Sequence, residues 1–145
     1  MRIDTKATVL QVISAAFILL WIYTAGSKLS SFENYRLEMQ HQVFSPMVSE
    51  ILIYIIPAVE ILAALLLLFQ KTNKTGMIFS ALLMTAFTIY IVLIISDYFP
   101  KVPCTCGGVI RVLGWKAHLV FNLIFLSAAI LALYNTPKRE VSDKE

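Results

Sequence analysis

The chain has 145 residues, a hydrophobic fraction of 59%, a charged fraction of 14% and a net charge of +3. A soluble domain is about half apolar and about a quarter charged, so this composition excludes an ordinary water-soluble globule and points to one integral membrane domain over residues 1–145 with little mass outside the bilayer. The modest positive charge calls for no nucleic-acid partner, because basic residues at the ends of membrane segments are ordinary.

From Met1 to Lys6 the chain is polar, with Arg2 and Lys6. Ala7 to Ala25 is apolar apart from Thr8, Gln11, Ser14 and Thr24. That run exceeds a signal-peptide core of about 7–15 residues, so with Met1 before it this reads as an uncleaved first transmembrane helix. Trp21 and Tyr23 sit near its far end, where an aromatic belt belongs. Gly26 to Pro46 is too polar to span. Ser30-Ser31-Phe32-Glu33 matches a capping box, and Leu29, Phe32, Arg36, Met39 and Val43 recur at helical spacing. The stretch reads as a short amphipathic helix in the membrane interface, or as a plain polar loop.

Ser45-Pro46 is a helix start, a cap followed by a first-turn proline. The second span covers about 47–69 and contains Pro57, which removes a backbone hydrogen bond and predicts a kink. Gln70 to Gly76 is a polar turn. The third span covers about 77–98 and stops at Phe99-Pro100. A cysteine-bearing loop follows, then a fourth span over about 115–134 and a charged tail. The expected fold is therefore an all-α bundle of four transmembrane helices with a short interfacial helix after the first. Four spans put both termini on one side. That side, with the Lys71/Lys74 turn, holds seven Lys and Arg residues against five on the other. The bias predicts cytoplasmic termini and a cysteine loop on the outer, oxidising face of a bacterial inner membrane.

The only two cysteines, Cys104 and Cys106, lie in Pro103-Cys104-Thr105-Cys106-Gly107-Gly108. Thiols one residue apart in a glycine turn suit redox chemistry or a soft metal ion better than packing. A disulfide across so small a ring is strained, hence labile and able to pass its oxidation on. As a stable staple it closes almost no loop and gains little. As a metal site the pair lacks the further Cys or Met ligands that would complete it in this chain, so no metal ligands are assigned.

In the fourth span Trp115, His118 and Asn122 fall at i, i+3 and i+7, on one helix face just below the cysteine loop. His118 there is a proton acceptor or donor for an ionising thiol, a donor to a quinone carbonyl, or a plain interhelical hydrogen-bonding residue. Glu60 lies about thirteen residues into its span, roughly 20 Å along a helix that rises ~1.5 Å per residue. An isolated acid at that depth costs about 2.5–3.5 kcal/mol, so Glu60 must face the bundle, either paired, protonated or beside the carbonyl that Pro57 frees. Its role is a proton relay, a polar contact to a carrier, or a helix-locking hydrogen bond. At its depth, direct contact with the shallower His118 is not expected. Lys28, Arg36, His41 and Asp97 read as solvated residues near the outer surface. Arg111 is a weak candidate for lowering a thiol pKa.

Tyr23-Thr24-Ala25-Gly26-Ser27-Lys28-Leu29, Pro57-Ala58-Val59-Glu60, the cysteine loop, and Gly114-Trp115-Lys116-Ala117-His118 together resemble the MauE/DoxX-like membrane proteins over nearly the whole chain. The Gly-x-Lys-Leu and Pro-x-x-Glu pieces are generic to the DoxX-like group, and the cysteine loop is closer to MauE, the methylamine-utilisation protein. The resemblance implies a four-helix membrane protein that makes or maintains disulfides in a periplasmic client, with a link to quinone or thiosulfate chemistry. Three functions follow in order. The first is a thiol–disulfide oxidoreductase, in which Cys104 and Cys106 exchange with a separate thioredoxin-like protein or client and electrons pass to a quinone near Trp115, His118 and Asn122. The second is a metal-handling protein using the cysteine pair. The third is a non-catalytic accessory subunit of a membrane complex.

Overall fold

The computed structural model describes residues 5–99 and 108–136; for 108–113 it describes the backbone alone. Within them all regular structure is helical, with no strand: α1 (Thr5–Ser30), α2 (Phe32–Gln40), α3 (Pro46–Leu68), α4 (Asn73–Ile95) and α5 (Gly108–Asn135). Four segments are long and apolar enough to cross a membrane, namely α1, α3, α4 and the Gly114–Asn135 part of α5. Each is longer than the ~20 residues that a hydrocarbon core requires. The protein is a four-span helical membrane bundle.

The bundle is inverted relative to a soluble one on its outer surface. Leu19, Leu82 and Ile124 are each at least 63% exposed and face outward, where lipid covers them. The interior is built on Phe17, Leu20 and Trp21 of α1, Ala63, Ala64 and Leu67 of α3, Met77 and Met84 of α4, and Ala129 and Ala132 of α5. Alanines on facing helices let the backbones approach, and dispersion between close-packed helices takes over where lipid removes the hydrophobic driving force. Within this core Trp21 donates its indole N–H to Ser80 Oγ at 2.9 Å, which satisfies the one polar atom of a fully buried indole. α1 packs most extensively on α3, and α4 on α5.

The expected spans are all present, with shifted ends. α1 continues to Ser30 rather than stopping at Ala25. The short helix after it forms, but without the predicted capping box. Ser31 is the cap residue and makes no side-chain cap bond, while Ser30 Oγ donates to the Ser27 carbonyl of the preceding helix. Its buried face is Tyr35 and Met39 against Ile53 of α3. Arg36, expected on that face, instead reaches Glu50 at 3.1 Å. Phe32 packs on Tyr54 with ring centroids 5.8 Å apart. Lys28 pairs with Glu60, Phe32 with Tyr54 and Arg36 with Glu50, so numbers rise on one side as they fall on the other. α1 and α2 thus form one broken rod that runs antiparallel along α3. The half-exposed Arg36–Glu50 pair adds direction more than stability, because exposed ion pairs contribute about 0–1 kcal/mol.

α3 runs through Pro57 without interruption from Pro46 to Leu68. Its last carbonyls are capped from the turn that follows: Thr72 Oγ1 donates to the Leu66 carbonyl at 2.7 Å and Asn73 Nδ2 to that of Leu67 at 2.8 Å. These bonds satisfy acceptors that a helix end leaves orphaned. They also start α4 at Asn73, four residues earlier than the hydropathy indicated. At the tightest point of this hairpin, a Cβ on Gly76 would lie 2.8 Å from backbone atoms of Leu66 and Leu67. Gly76→Ala is therefore expected to lower stability by about 1–3 kcal/mol, the usual cost of overpacking, measured as a lower thermal midpoint in detergent. An unchanged midpoint would show that the hairpin opens freely.

α4 ends at Ile95, three residues before the expected stop. Tyr98 N–H donates to the Leu93 carbonyl and Asp97 N–H to that of Ile94, both at 3.2 Å, with Asp97 in the left-handed region at φ 54°. This is a Schellman cap in which Asp replaces the usual Gly, one of the few residues that tolerate that conformation.

Candidate functional site

A cavity of about 240 Å³ lies within the bundle and takes lining residues from every helix. Its depth is formed by Trp21, Glu60, Met84 and Asn122, and toward the other end it reaches Gln42, Phe44, Tyr90 and Trp115. The last of these follows Gly114, where φ 74° and ψ 173° break α5 into a short leading segment and the span proper. Only glycine occupies that region readily, so this glycine sets the angle at which the chain enters the fourth span.

Glu60 is 2% exposed and faces the bundle, as an acid at this depth must. Its partner is Lys28, whose Nζ lies 2.8 Å from Glu60 Oε1 and also donates to the Thr24 carbonyl at 3.3 Å. Lys28 is 6% exposed, which corrects its reading as a solvated surface residue. It lies near the end of α1, but α2 and the following loop continue the rod and cover it. Of the alternatives open for Glu60, the structure shows the paired one. Taking two charges out of water costs several kcal/mol per ion, and a short contact with further hydrogen bonds offsets that cost. The second oxygen, Oε2, is buried and has no hydrogen-bond partner among the described residues. The Thr24 hydroxyl interacts with this carboxylate and makes a hydrogen bond to the Trp21 carbonyl at 3.3 Å.

Trp115, His118 and Asn122 all line the cavity, so the helix face read from their spacing is the one that α5 turns inward. His118 is 4% and Asn122 2% exposed. Asn122 Nδ2 is a second buried polar atom without a partner among the described residues. Glu60 and His118, placed at different depths by sequence, border the same cavity. Above them the Tyr90 hydroxyl donates to Gln42 Oε1, and its ring stacks on Phe44 at 5.6 Å and meets Trp115 edge-on at 6.3 Å. The Gln42–Phe44 connection thus roofs the cavity by way of Tyr90.

Of the predicted site residues, four converge here: Glu60, Trp115, His118 and Asn122. Cys104 and Cys106 lie outside the described residues, as does the Arg111 side chain. His41 and Asp97 are exposed and are not part of the cavity lining. Lys28, Trp21, Gln42 and Tyr90 are among the lining residues that sequence reasoning did not assign. A signal for Lys28 existed: an acid inside a span needs a cation, and Lys28 directly follows the first span on the face where the second begins. Among the described residues no group of three or more His, Cys, Asp or Glu side chains is placed to hold a metal ion.

The site can bind a small, mostly apolar ring against Trp21, Phe87, Trp115 and Phe121, and can orient it by hydrogen bonds at Glu60 and Asn122. Cavities of about 150 Å³ already admit benzene, so this one admits a substituted ring. No curated protein and no solved structure matches the chain. The family described as Methylamine utilisation protein MauE matches residues 6–135, nearly the whole length, and the chain belongs to that family of membrane proteins.

Proposed function

We propose that this protein is a thiol–disulfide oxidoreductase of the bacterial inner membrane that forms or maintains disulfides in a periplasmic client. The termini lie in the cytoplasm and the Cys104–Cys106 loop faces outside, on the strength of the charge bias between the loops. The observation that carries the reading is the position of the cavity. It reaches Tyr90 near the end of α4 and Trp115 at the head of the fourth span, the two helix ends that the cysteine loop joins.

In this reading a client dithiol, or a thioredoxin-like carrier, attacks the Cys104–Cys106 disulfide and forms a mixed disulfide. The second thiolate of the client resolves it, leaving the client oxidised and Cys104 and Cys106 as thiols. Reoxidation of the two thiols releases two electrons and two protons. Both would pass to a quinone, which Trp115, Asn122 and Glu60 would hold in the cavity. Its fit rests on the ring-sized volume and on the two unpartnered polar atoms of Glu60 and Asn122. Trp115 and the other aromatic side chains hold the ring by stacking and exclude water. His118 lines the cavity one turn after Trp115, and its role in this reading is to take a proton from a thiol.

The test is to trap the intermediate. In cells carrying Cys106→Ser, Cys104 is expected to accumulate a reducible crosslink to a periplasmic protein, and Cys104→Ser should give much less. Full function of both variants with no crosslink would sink the redox reading. Stoichiometric bound metal in the purified protein, lost on thiol alkylation, would then assign the pair to metal handling instead.

A further inference from the structure

Two features of the cavity have no use within the fold. Glu60 Oε2 and Asn122 Nδ2 are both buried, both belong to residues lining the cavity, and neither has a partner among the described residues. One is a carboxylate oxygen of an ion pair, an acceptor that needs a donor. The other is an amide N–H, a donor that needs an acceptor. A buried polar atom left unpaired costs about 1–3 kcal/mol, and more when it is charged, so two of them bordering one space mark what that space is complementary to.

A quinone ring carries only acceptors. It can take the Asn122 N–H at a carbonyl but offers nothing to Glu60. A hydroquinone ring carries O–H donors whose oxygens also accept, so it can satisfy both. We propose that the cavity is a site for a hydroxylated six-membered ring, and that it binds the reduced, hydroquinone form in preference to the quinone. This rests on the quinone reading above and sharpens it: the protein holds the product of its own reoxidation more tightly than the oxidant. The Lys28–Glu60 pair is then a positioning element. Lys28 occupies Oε1 at 2.8 Å and so leaves Oε2 as the oxygen available to a ligand.

Size limits the occupant. About 240 Å³ holds a substituted ring but not a long isoprenoid tail. The lining is aromatic and aliphatic apart from the polar groups already named, which disfavours a fully polar occupant.

The chain contains two tryptophans, and both Trp21 and Trp115 line the cavity, so quenching of intrinsic fluorescence reports binding directly. The probes are tetramethylhydroquinone, tetramethylbenzoquinone, and the di-O-methyl ether of the former. All ring positions are substituted, so none adds covalently to a thiol. The full chain with Cys104→Ser and Cys106→Ser, purified in lipid nanodiscs under anaerobic conditions, cannot exchange electrons with the probes through those thiols. Hydroquinone is expected to bind about 10- to 100-fold more tightly than either the quinone or the ether, the range that one hydrogen bond to a charged group supplies. Asn122→Leu should weaken quinone and hydroquinone alike, while Glu60→Gln should shrink the preference between them. Equal or tighter binding of the quinone would overturn the preference and leave the quinone site standing. If no probe quenches either tryptophan at saturating concentration, both the preference and the quinone site are wrong, whatever the mixed-disulfide experiment returns.

Discussion

Lys28→Met is expected to destabilise the protein by about 3–5 kcal/mol, because it strands a carboxylate in the bundle interior. Methionine matches the length of much of the lysine stem, so lost packing is a small part of the effect. Glu60 is 2% exposed and lies deep in α3, some 14 residues from Pro46, or about 21 Å at the usual helical rise. It cannot reach the interface. The reverse change, Glu60→Gln, should cost less. Lys28 is two residues from the end of α1, and a long lysine stem can carry its ammonium toward water when released. Combining the two substitutions removes both charges and should recover most of the loss in the lysine variant. Lowering the pH should also recover part of it, since a proton then neutralises the carboxylate that the ammonium no longer does. Denaturation in mixed micelles measures all four corners of this cycle. Additive single effects would mean that the 2.8 Å contact contributes no coupling.

Gly114→Val is expected to be as damaging as Gly76→Ala, for a different reason. The cost does not come from crowding, because a Cβ at this position meets nothing within 4 Å. It comes from the backbone: φ 74° with ψ 173° belongs to a region closed to branched residues and worth about 1–3 kcal/mol of strain. The chain can relieve that strain only by changing how it enters the fourth span. Trp115 then leaves its edge contact with Tyr90. A blue or red shift in tryptophan emission, together with a lower thermal midpoint, would report this. Gly26→Ala is the control. Gly26 also has open space around its Cβ position but sits inside α1, where alanine favours the helix by about 0.5–1 kcal/mol. Opposite signs at two equally uncrowded glycines would isolate conformation as the cause. If Gly114→Val melts and fluoresces like the unaltered protein, the break in α5 is not a constraint.

The departures from the sequence reading share one origin. Ser30-Ser31-Phe32-Glu33 has the spacing of a capping box, yet the box does not form because α1 continues to Ser30 and engages the first serine as part of its own last turn. The early start of α4 likewise depends on Thr72 and Asn73, whose side chains cap α3. Polar residues at both sites read as loop by hydropathy. Their hydrogen bonds to backbone, which hydropathy does not register, make them parts of helix ends.

What the sequence determined by itself is everything that depends on neighbours a few residues away. Predominantly apolar runs of about 20 residues specify the four spans, because a bilayer leaves backbone groups no alternative to helix. The 3.6-residue period places Trp115, His118 and Asn122 on one face, and the depth of Glu60 requires that it point inward. What only the tertiary structure decided is which segments meet. Lys28 and Glu60 are 32 residues apart, and their contact needs α2 to extend α1 along α3 rather than turn away from it. That course is set by Tyr35 and Met39 packing on Ile53, a fit between two surfaces that no single helix encodes. The cavity is of the same kind. Each helix contributes a few side chains whose identity gives no sign of a pocket, and the space exists only where all of the helices leave it between them.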